Sequence, residues 1–228
     1  MPALAGTARV RVQLPFAATE HSEPEPDIAI VPDRPRRRGG ARPPPPDRDG
    51  LRDCRATLRA HAAAGEPCRI TLRTLVRHPA DWTDLSGRRV LVVENPTVVA
   101  AVADRCGPAT PPLMGTDGQP SGAVQTLLGQ LVDAGASLAF HTDFDAGGIR
   151  IGNLLVDRFG AVPWRMSRAD YETRAEAAGR PLWSSPPEAS WDAGLSPAIV
   201  ARDRAVHEEQ LLGELTEELA RTAPAGGT

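Results

Sequence analysis

Three acidic residues stand at positions from which they can act together. Glu94 follows the apolar run Arg89–Val93, and Asp143 and Asp145 follow the second apolar run Ser137–His141. Side-chain direction repeats every two residues along an extended chain, so the two aspartates can point the same way. Carboxylate oxygens are the ligands that hard divalent cations prefer, and such cations polarise phosphoryl oxygens. The pattern predicts a Mg²⁺ or Mn²⁺ site suited to phosphodiester chemistry.

Small and basic residues extend this candidate site. Gly147 and Gly148 allow a sharp turn into the next helix and a close approach of a phosphate to the backbone. Arg150 and Arg165 are candidate phosphate contacts, with ordinary surface charge an equal alternative for each. The stretch 207–209 (His-Glu-Glu) contains further metal-ligand types, but an acidic face of a solvated helix is the favoured interpretation.

An acidic residue after a strand is more often a helix cap than a catalyst. The order of the elements favours the metal site, because each acidic group follows a buried strand of one predicted sheet. In an open parallel sheet, the carboxyl ends of the strands border the functional crevice. The predicted elements are a strand Arg89–Val93, a helix Thr97–Arg105, a strand Pro112–Met114, a helix Gly122–Ala134 capped by Ser121, a strand Ser137–His141, a helix that stops at Gly160, and a strand Val162–Met166.

This alternation predicts an α/β fold, with a four-stranded parallel sheet flanked by helices. After the sheet, residues 168–195 are predicted to be irregular, with Trp183 and Trp191 as packing anchors. The Ser196-Pro197 pair is typical of a helix start and predicts one long helix that ends at Arg221.

The chain before residue 87 differs in composition. Residues 1–50 contain ten of the 23 prolines and an arginine triplet, which predicts a disordered Pro/Arg-rich segment, with one short strand from Val10 to Phe16 as an option. Residues 51–86 predict a small helical appendage, either a simple packing element or the remnant of a winged-helix module. Residues 87–222 then form the main domain with its C-terminal helix.

Composition excludes several classes of function. The net charge is −3 and the sequence contains no lysine, so neither lysine Schiff-base chemistry nor a P-loop lysine is available. Three scattered cysteines form no CxxC pair, which argues against a zinc site or a disulfide framework and predicts a reducing, cytoplasmic setting. No apolar run approaches the roughly 18 residues of a membrane span.

The segments 90–95 (VLVVEN) and 141–148 (HTDFDAGG) together resemble the Toprim domain of topoisomerases, bacterial primases and small nucleases. With the segments 115–121 (GTDGQPS) and 163–167 (PWRMS), the chain more closely resembles the Toprim branch that contains topoisomerase VI A-type proteins and the Wadjet plasmid-defence nuclease subunit (JetD). The resemblance covers about residues 51–222, and residues 88–167 carry nearly all of its specificity.

The resemblance implies a Rossmann-like Toprim fold in which Glu94 is a general acid or base that assists metal binding. It implies that Asp143 and Asp145 are the metal ligands, with Mg²⁺ or Mn²⁺ as the cofactor. The expected activity is endonucleolytic cleavage of double-stranded DNA, delivered by a motor complex related to the structural-maintenance-of-chromosomes (SMC) proteins and its accessory subunits. Whether the chain forms a homodimer is left open. Tyr171, the single tyrosine, follows the Toprim core, so hydrolysis is expected rather than tyrosine-linked strand passage.

Two other functions remain as alternatives. An Asp-x-Asp phosphatase unrelated to DNA would normally have its pair after the first strand and a threonine where this chain has Gly147. A non-catalytic DNA-binding or scaffold subunit would keep the fold without needing the metal.

Overall fold

Four adjacent parallel strands form one side of a six-stranded sheet in the computed structural model, which describes residues 28–31 and 54–222. The strands are β1 (Ile28–Val31), β2 (Cys68–Ile70), β3 (Arg89–Val93), β4 (Leu113–Gly115), β5 (Ser137–His141), β6 (Val162–Pro163), β7 (Arg180–Pro181) and β8 (Arg204–Ala205). The sheet order is β2-β1-β4-β3-β5-β6, and a separate two-stranded pair joins β7 to β8.

Eight α-helices lie among the described residues, and together with the parallel sheet they confirm the predicted α/β class. They are α1 (Cys54–Ala64), α2 (Leu72–Arg77), α3 (Pro96–Cys106), α4 (Gly122–Asp133), α5 (Ala146–Phe159), α6 (Arg168–Ala178), α7 (Leu195–Arg202) and α8 (Leu212–Thr222). Short 3-10 turns occur at Thr83–Leu85, Gly107–Ala109 and Glu208–Gln210.

The central strands are continuous apolar runs because both of their faces are covered. In β3 the four residues after Arg89 are all buried, and in β5 the four residues after Ser137 are all buried. The helices present matching apolar stripes: in α4, for example, Leu127 and Leu128 are fully buried. Ser121 caps α4 as predicted, and its side chain accepts a hydrogen bond from the Val124 N–H.

The N-terminal strand β1 was missed by sequence analysis. It lies between β2 and β4 and pairs antiparallel with both, so the parallel sheet gains an antiparallel extension. Its four residues belong to the segment 1–50 that was expected to be disordered. The optional strand from Val10 to Phe16 lies outside the described residues. Within 51–86, the predicted helical appendage also contains the strand β2, and Thr71, directly after that strand, caps α2.

The prediction that residues 168–195 are irregular is wrong for its first third. Helix α6 begins at Arg168 behind a capping box, in which the Ser167 side chain accepts from the Asp170 N–H and the Asp170 carboxylate accepts from the Ser167 N–H. This Ser-x-x-Asp spacing was visible in the sequence. The low apolar content of α6 hid the helix.

The single helix predicted from Ser196 to Arg221 is also wrong. Helix α7 ends at Arg202, the left-handed backbone of the C-cap residue Asp203 (φ 51°) turns the chain, and α8 begins only at Leu212. Ser196 is buried and donates to the carbonyl of Pro187 rather than capping the helix. The break lets Val206 form a bridge with Phe144, so tertiary pairing overrides helical continuity.

Two tryptophans predicted as packing anchors have different environments. Trp191 packs edge-on against Phe140 with ring centroids 5.0 Å apart, and its indole N–H donates to the carbonyl of Met166. Trp183 is 94% exposed, so its predicted anchoring role is wrong. The strand predicted to extend to Met166 stops at Pro163, because Arg165 adopts a left-handed backbone (φ 56°).

None of the helices in the described part of the chain is long and apolar enough to cross a membrane.

Candidate metal centre

The candidate site lies at the carboxyl ends of two adjacent parallel strands. Strands β3 and β5 pair in register, with Val93 opposite His141, so the residues that follow each strand emerge side by side. Glu94 follows β3, and Asp143 lies two residues after β5. The Glu94 carboxylate (Oε2) accepts a 3.1 Å hydrogen bond from the Asp143 N–H. The structure therefore joins two of the three predicted acidic residues directly.

Asp145 is the N-cap residue of α5. Its Oδ1 accepts a 2.8 Å hydrogen bond from the Gly148 N–H, which leaves Oδ2 for other partners. Gly148 is obligatory at this turn: a Cβ atom placed there would lie 2.0 Å from the Asp143 carbonyl oxygen. Gly147 is less restricted, with the Asp145 carboxylate 3.2 Å from an equivalent Cβ. The two glycines thus hold the loop closely against its own acidic residues.

One ligand atom each of Asp143, Asp145 and His207 lies within 4.8 Å of the others. Sequence analysis had not placed His207 in the site. The His207 side chain accepts a hydrogen bond from the Gln210 N–H in a reciprocal cap. The nitrogen that remains for this bond is Nδ1, because Nε2 faces Asp145 Oδ2 at 3.8 Å.

A neutral imidazole that accepts through one nitrogen carries its proton on the other. In this arrangement His207 therefore presents an N–H donor at Nε2, whereas a metal ligand needs a lone pair there. Asp143 and Asp145 remain as candidate carboxylate ligands. Two carboxylates with water or substrate oxygens form a set that fits Mg²⁺, which keeps several waters in protein sites. The His207 N–H is suited to donating a hydrogen bond to an anionic oxygen beside them.

Glu208 occupies the centre of the cluster, although the stretch 207–209 was predicted to be a solvated helix face. That prediction is wrong: Glu208 is fully buried. Its Oε2 accepts a 2.6 Å hydrogen bond from the Asn95 N–H, its Oε1 lies 2.9 Å from His141 Nδ1, and its own N–H donates to Asp143 Oδ1 at 2.7 Å. Neighbouring Glu209 is exposed and accepts from the Asn95 side-chain amide.

Burial governs the protonation of this cluster, because desolvation disfavours charged forms. Burial raises the pKa of Glu94 to about 7, with the carboxylates of Glu208 and Asp145 adding to the effect. Burial and the Glu94 charge raise the pKa of Asp143 to about 8. Burial also raises the pKa of Glu208 to about 8. The pKa of His141 falls to about 4 because of its burial and the nearby Arg174. The protonated forms of Glu94, Asp143 and Glu208 are therefore favoured well above the pH at which free carboxyl groups ionise.

An open cleft of about 440 Å³ adjoins the acidic residues. Its walls come from the start of α3, the loop after β4 and the 3-10 turn after β8. They are formed by Glu94, Asn95, Pro96, Thr97, Asp117, Gly118, Asp143 and Glu209. The cleft thus gives a solute access to Glu94 and Asp143 together.

The two predicted phosphate contacts differ in their surroundings. Arg150 is exposed in α5, one turn after Ala146, and no ion pair to it is present among the described residues. Arg165 is paired with Glu218 of α8 at 2.7 Å, so its charge is already partly compensated. Tyr171 is fully buried and its hydroxyl donates to the carbonyl of Arg204, which gives it a structural role.

Comparison with known proteins supplies a family. A family model described as "Protein of unknown function C-terminus (DUF2399)" matches residues 68–219, about two thirds of the chain. The chain belongs to this DUF2399 family. The matched region runs from β2 into α8 and contains every residue of the candidate centre. No curated protein matches the chain.

Proposed function

We propose that this DUF2399 chain is a Toprim-type endonuclease subunit that cleaves DNA phosphodiester bonds with Mg²⁺ or Mn²⁺. The observation that carries the proposal is the hydrogen bond between the Glu94 carboxylate and the Asp143 N–H. It brings the acidic residue after one parallel strand against the Asp-x-Asp pair after the next, at the sheet edge where ligands bind in such folds. The Toprim resemblance of these same segments supports it.

The residues divide the chemistry between them. Asp143 and Asp145 would hold the cation, which when bound polarises a phosphoryl oxygen and stabilises charge on the leaving oxygen. Glu94 has a pKa near 7 and borders the open cleft, so it can take up or release a proton at neutral pH. The His207 N–H can orient a phosphate oxygen. Arg150 can hold a neighbouring phosphate of the strand.

The biological setting of the proposal follows from the resemblance. The Wadjet nuclease subunit acts on plasmid DNA that a motor complex related to SMC proteins delivers. By likeness, we propose double-stranded DNA as the substrate and such a motor with its accessory subunits as partners. A net charge of −3 supports the proposal that the chain depends on a motor complex for delivery of DNA, since the chain lacks a global positive field that would attract DNA by itself.

The test combines metal binding with cleavage. Supercoiled plasmid is incubated with the purified chain and Mn²⁺ or Mg²⁺, and Mn²⁺ affinity is measured by calorimetry. We expect metal-dependent nicking or linearisation that EDTA abolishes. Asp143→Asn should remove both Mn²⁺ binding and cleavage, whereas the exposed residue Asp157 provides a matched control, Asp157→Asn, with unchanged values.

Two outcomes would replace the proposal. Hydrolysis of small phosphate esters without DNA cleavage would indicate an Asp-x-Asp phosphatase. Binding of DNA with no Mn²⁺ affinity would indicate a non-catalytic scaffold subunit. Cleavage undiminished in Asp143→Asn would exclude this centre as the source of the activity.

A further inference from the structure

The side chain of Glu208 is fully buried, yet no part of the proposed chemistry uses it. It lies at the start of a 3-10 turn between β8 and α8, more than 60 residues beyond the Asp-x-Asp loop. A buried carboxyl group is costly unless hydrogen bonds compensate for the lost water. The hydrogen-bond partners of Glu208 therefore indicate which neighbouring groups this residue positions.

The carboxylate and the backbone N–H of Glu208 form hydrogen bonds to three different parts of the candidate centre. Through Oε2 it accepts from the Asn95 N–H, directly after Glu94 at the end of β3. Through Oε1 it meets His141 Nδ1 at the end of β5. Through its own N–H it donates to Asp143 Oδ1. One residue thus links both strand ends and one proposed metal ligand.

We infer that Glu208 is a positioning residue that fixes Glu94 and Asp143 relative to each other across the β3–β5 edge. The inference rests on the proposed function and deepens it. The link is needed because strand pairing ends at Val93 and His141. Beyond those residues, the hydrogen bond from the Asp143 N–H to the Glu94 carboxylate also ties the two acidic residues together.

The flanking residues strengthen the same connection. Val206 exchanges backbone hydrogen bonds with Phe144, of 2.8 Å and 3.4 Å, which anchors the segment against the middle residue of Asp-Phe-Asp. Glu209 accepts from the Asn95 side chain on the other side. Glu208 is thereby held in register with the loop, and its reach to Asn95 requires the full length of a glutamate side chain.

The test uses three substitutions that separate length from charge. Glu208→Gln keeps the length, an acceptor oxygen for the Asn95 N–H and a polar group within hydrogen-bond distance of His141 Nδ1. Glu208→Asp keeps the carboxyl group but is one methylene shorter. Glu208→Ala removes both. Glu217→Ala, at an exposed position of α8, is the matched control.

We expect Glu208→Ala to lower Mn²⁺ affinity or kcat by about 10- to 100-fold, the usual effect of removing a group that orients metal ligands. Glu208→Gln should retain most of the wild-type value, and Glu208→Asp should fall nearly as far as Ala. KM for plasmid should not change. Thermal melts place all assays well below the Tm of each variant, so a loss through unfolding is separated from a loss of positioning.

The opposite order would overturn the inference: an active Asp variant beside an inactive Gln variant would make Glu208 a charge or ligand instead. Full activity and affinity in the Ala variant would also overturn it. The same assays distinguish failure of the proposed nuclease function from failure of the inference about Glu208. If the wild type binds Mn²⁺ but cuts no DNA, the nuclease proposal fails, while the order of Mn²⁺ affinities still tests Glu208.

Discussion

The backbone N–H of Glu208 donates a 2.7 Å hydrogen bond to Oδ1 of Asp143, although 65 residues separate the two in the chain. The bond occupies one oxygen of a proposed metal ligand and leaves the other free. It also joins the C-terminal segment to the loop that follows β5. The candidate centre is therefore assembled from three separate parts of the sequence, and changes at any of them have distinct, measurable effects.

The two glycines after Asp145 are predicted to respond differently to alanine. In Gly148→Ala the new Cβ would meet the Asp143 carbonyl oxygen at 2.0 Å, so the backbone must move. We expect a loss of about 3 kcal/mol or more in the free energy of unfolding, as for severe overpacking. In Gly147→Ala the Cβ meets only the Asp145 carboxylate, at 3.2 Å. Stability should change by about 1 kcal/mol or less, because helix propensity offsets a weakened cap.

Urea unfolding measures the free energy of unfolding of each variant. Calorimetry measures the Mn²⁺ affinity, which should be lower in Gly147→Ala because the new Cβ displaces the Asp145 carboxylate. Gly129→Ala is the control, since nothing lies within 4 Å of a Cβ in the middle of α4. It should be neutral or stabilising. Equal stability of the Gly148 and Gly129 variants would contradict the close approach seen at Gly148.

The metal-free protein is predicted to lose stability as pH rises. The folded-state pKa values of Glu94, Asp143 and Glu208, about 7, 8 and 8, lie above their ordinary values of 4.5, 3.8 and 4.5. Between those limits the folded state binds more protons than the unfolded state, so the free energy of unfolding falls with increasing pH. We expect Tm in EDTA to drop by several degrees between about pH 5 and pH 8, because about 1 kcal/mol shifts Tm by about 2–4 °C at this size.

Cation binding should reverse that trend. Mn²⁺ binds the deprotonated carboxylates, so its affinity rises with pH and its stabilising effect is greatest near pH 8. Scanning calorimetry with and without Mn²⁺ checks both effects, and Asp143→Asn should flatten the pH dependence in EDTA. A Tm that increases with pH in EDTA would show that the buried carboxyl groups do not govern stability.

The two candidate phosphate contacts are predicted to contribute unequally to DNA binding. Arg150 is exposed, whereas Arg165 is engaged by Glu218 at 2.7 Å. Arg150→Ala should weaken DNA binding and reduce the slope of log K against log salt by about 0.9, the effect of losing one phosphate contact. Arg165→Ala should leave the slope nearly unchanged. Fluorescence anisotropy with a duplex at several salt concentrations measures both, and a larger slope change for Arg165 would assign the contact to it instead.

The two tryptophans are predicted to differ in their contribution to stability. Trp191→Ala removes the packing against Phe140 and the bond to Met166, and should cost about 3 kcal/mol. Trp183→Ala should stay within about 0.5 kcal/mol of wild type, because its ring is 94% exposed. Denaturant unfolding compares them, and similar losses for both would contradict the packing described here.

Sequence alone determined the centre of the fold. The apolar runs of β3 and β5 are continuous because both faces of a parallel strand are buried, and that local signature also located Glu94, Asp143 and Asp145 at the strand ends. Ser121 as the cap of α4 was equally local. These features depend on residues within one turn or one strand of each other, so pattern and propensity suffice.

Tertiary structure decided the rest. An unbroken helix from Ser196 agreed with local propensity, but the pairing of Val206 with Phe144 interrupts it. The composition of the stretch 207–209 predicts exposure to solvent. Hydrogen-bond partners more than 60 residues away nevertheless stabilise Glu208 in a fully buried position. Burial then raises the pKa values of the acidic cluster. The sequence marked three of the acidic residues. Long-range hydrogen bonds added Glu208, and a 3.8 Å contact with Asp145 added His207, because no local pattern encodes a contact across so much chain.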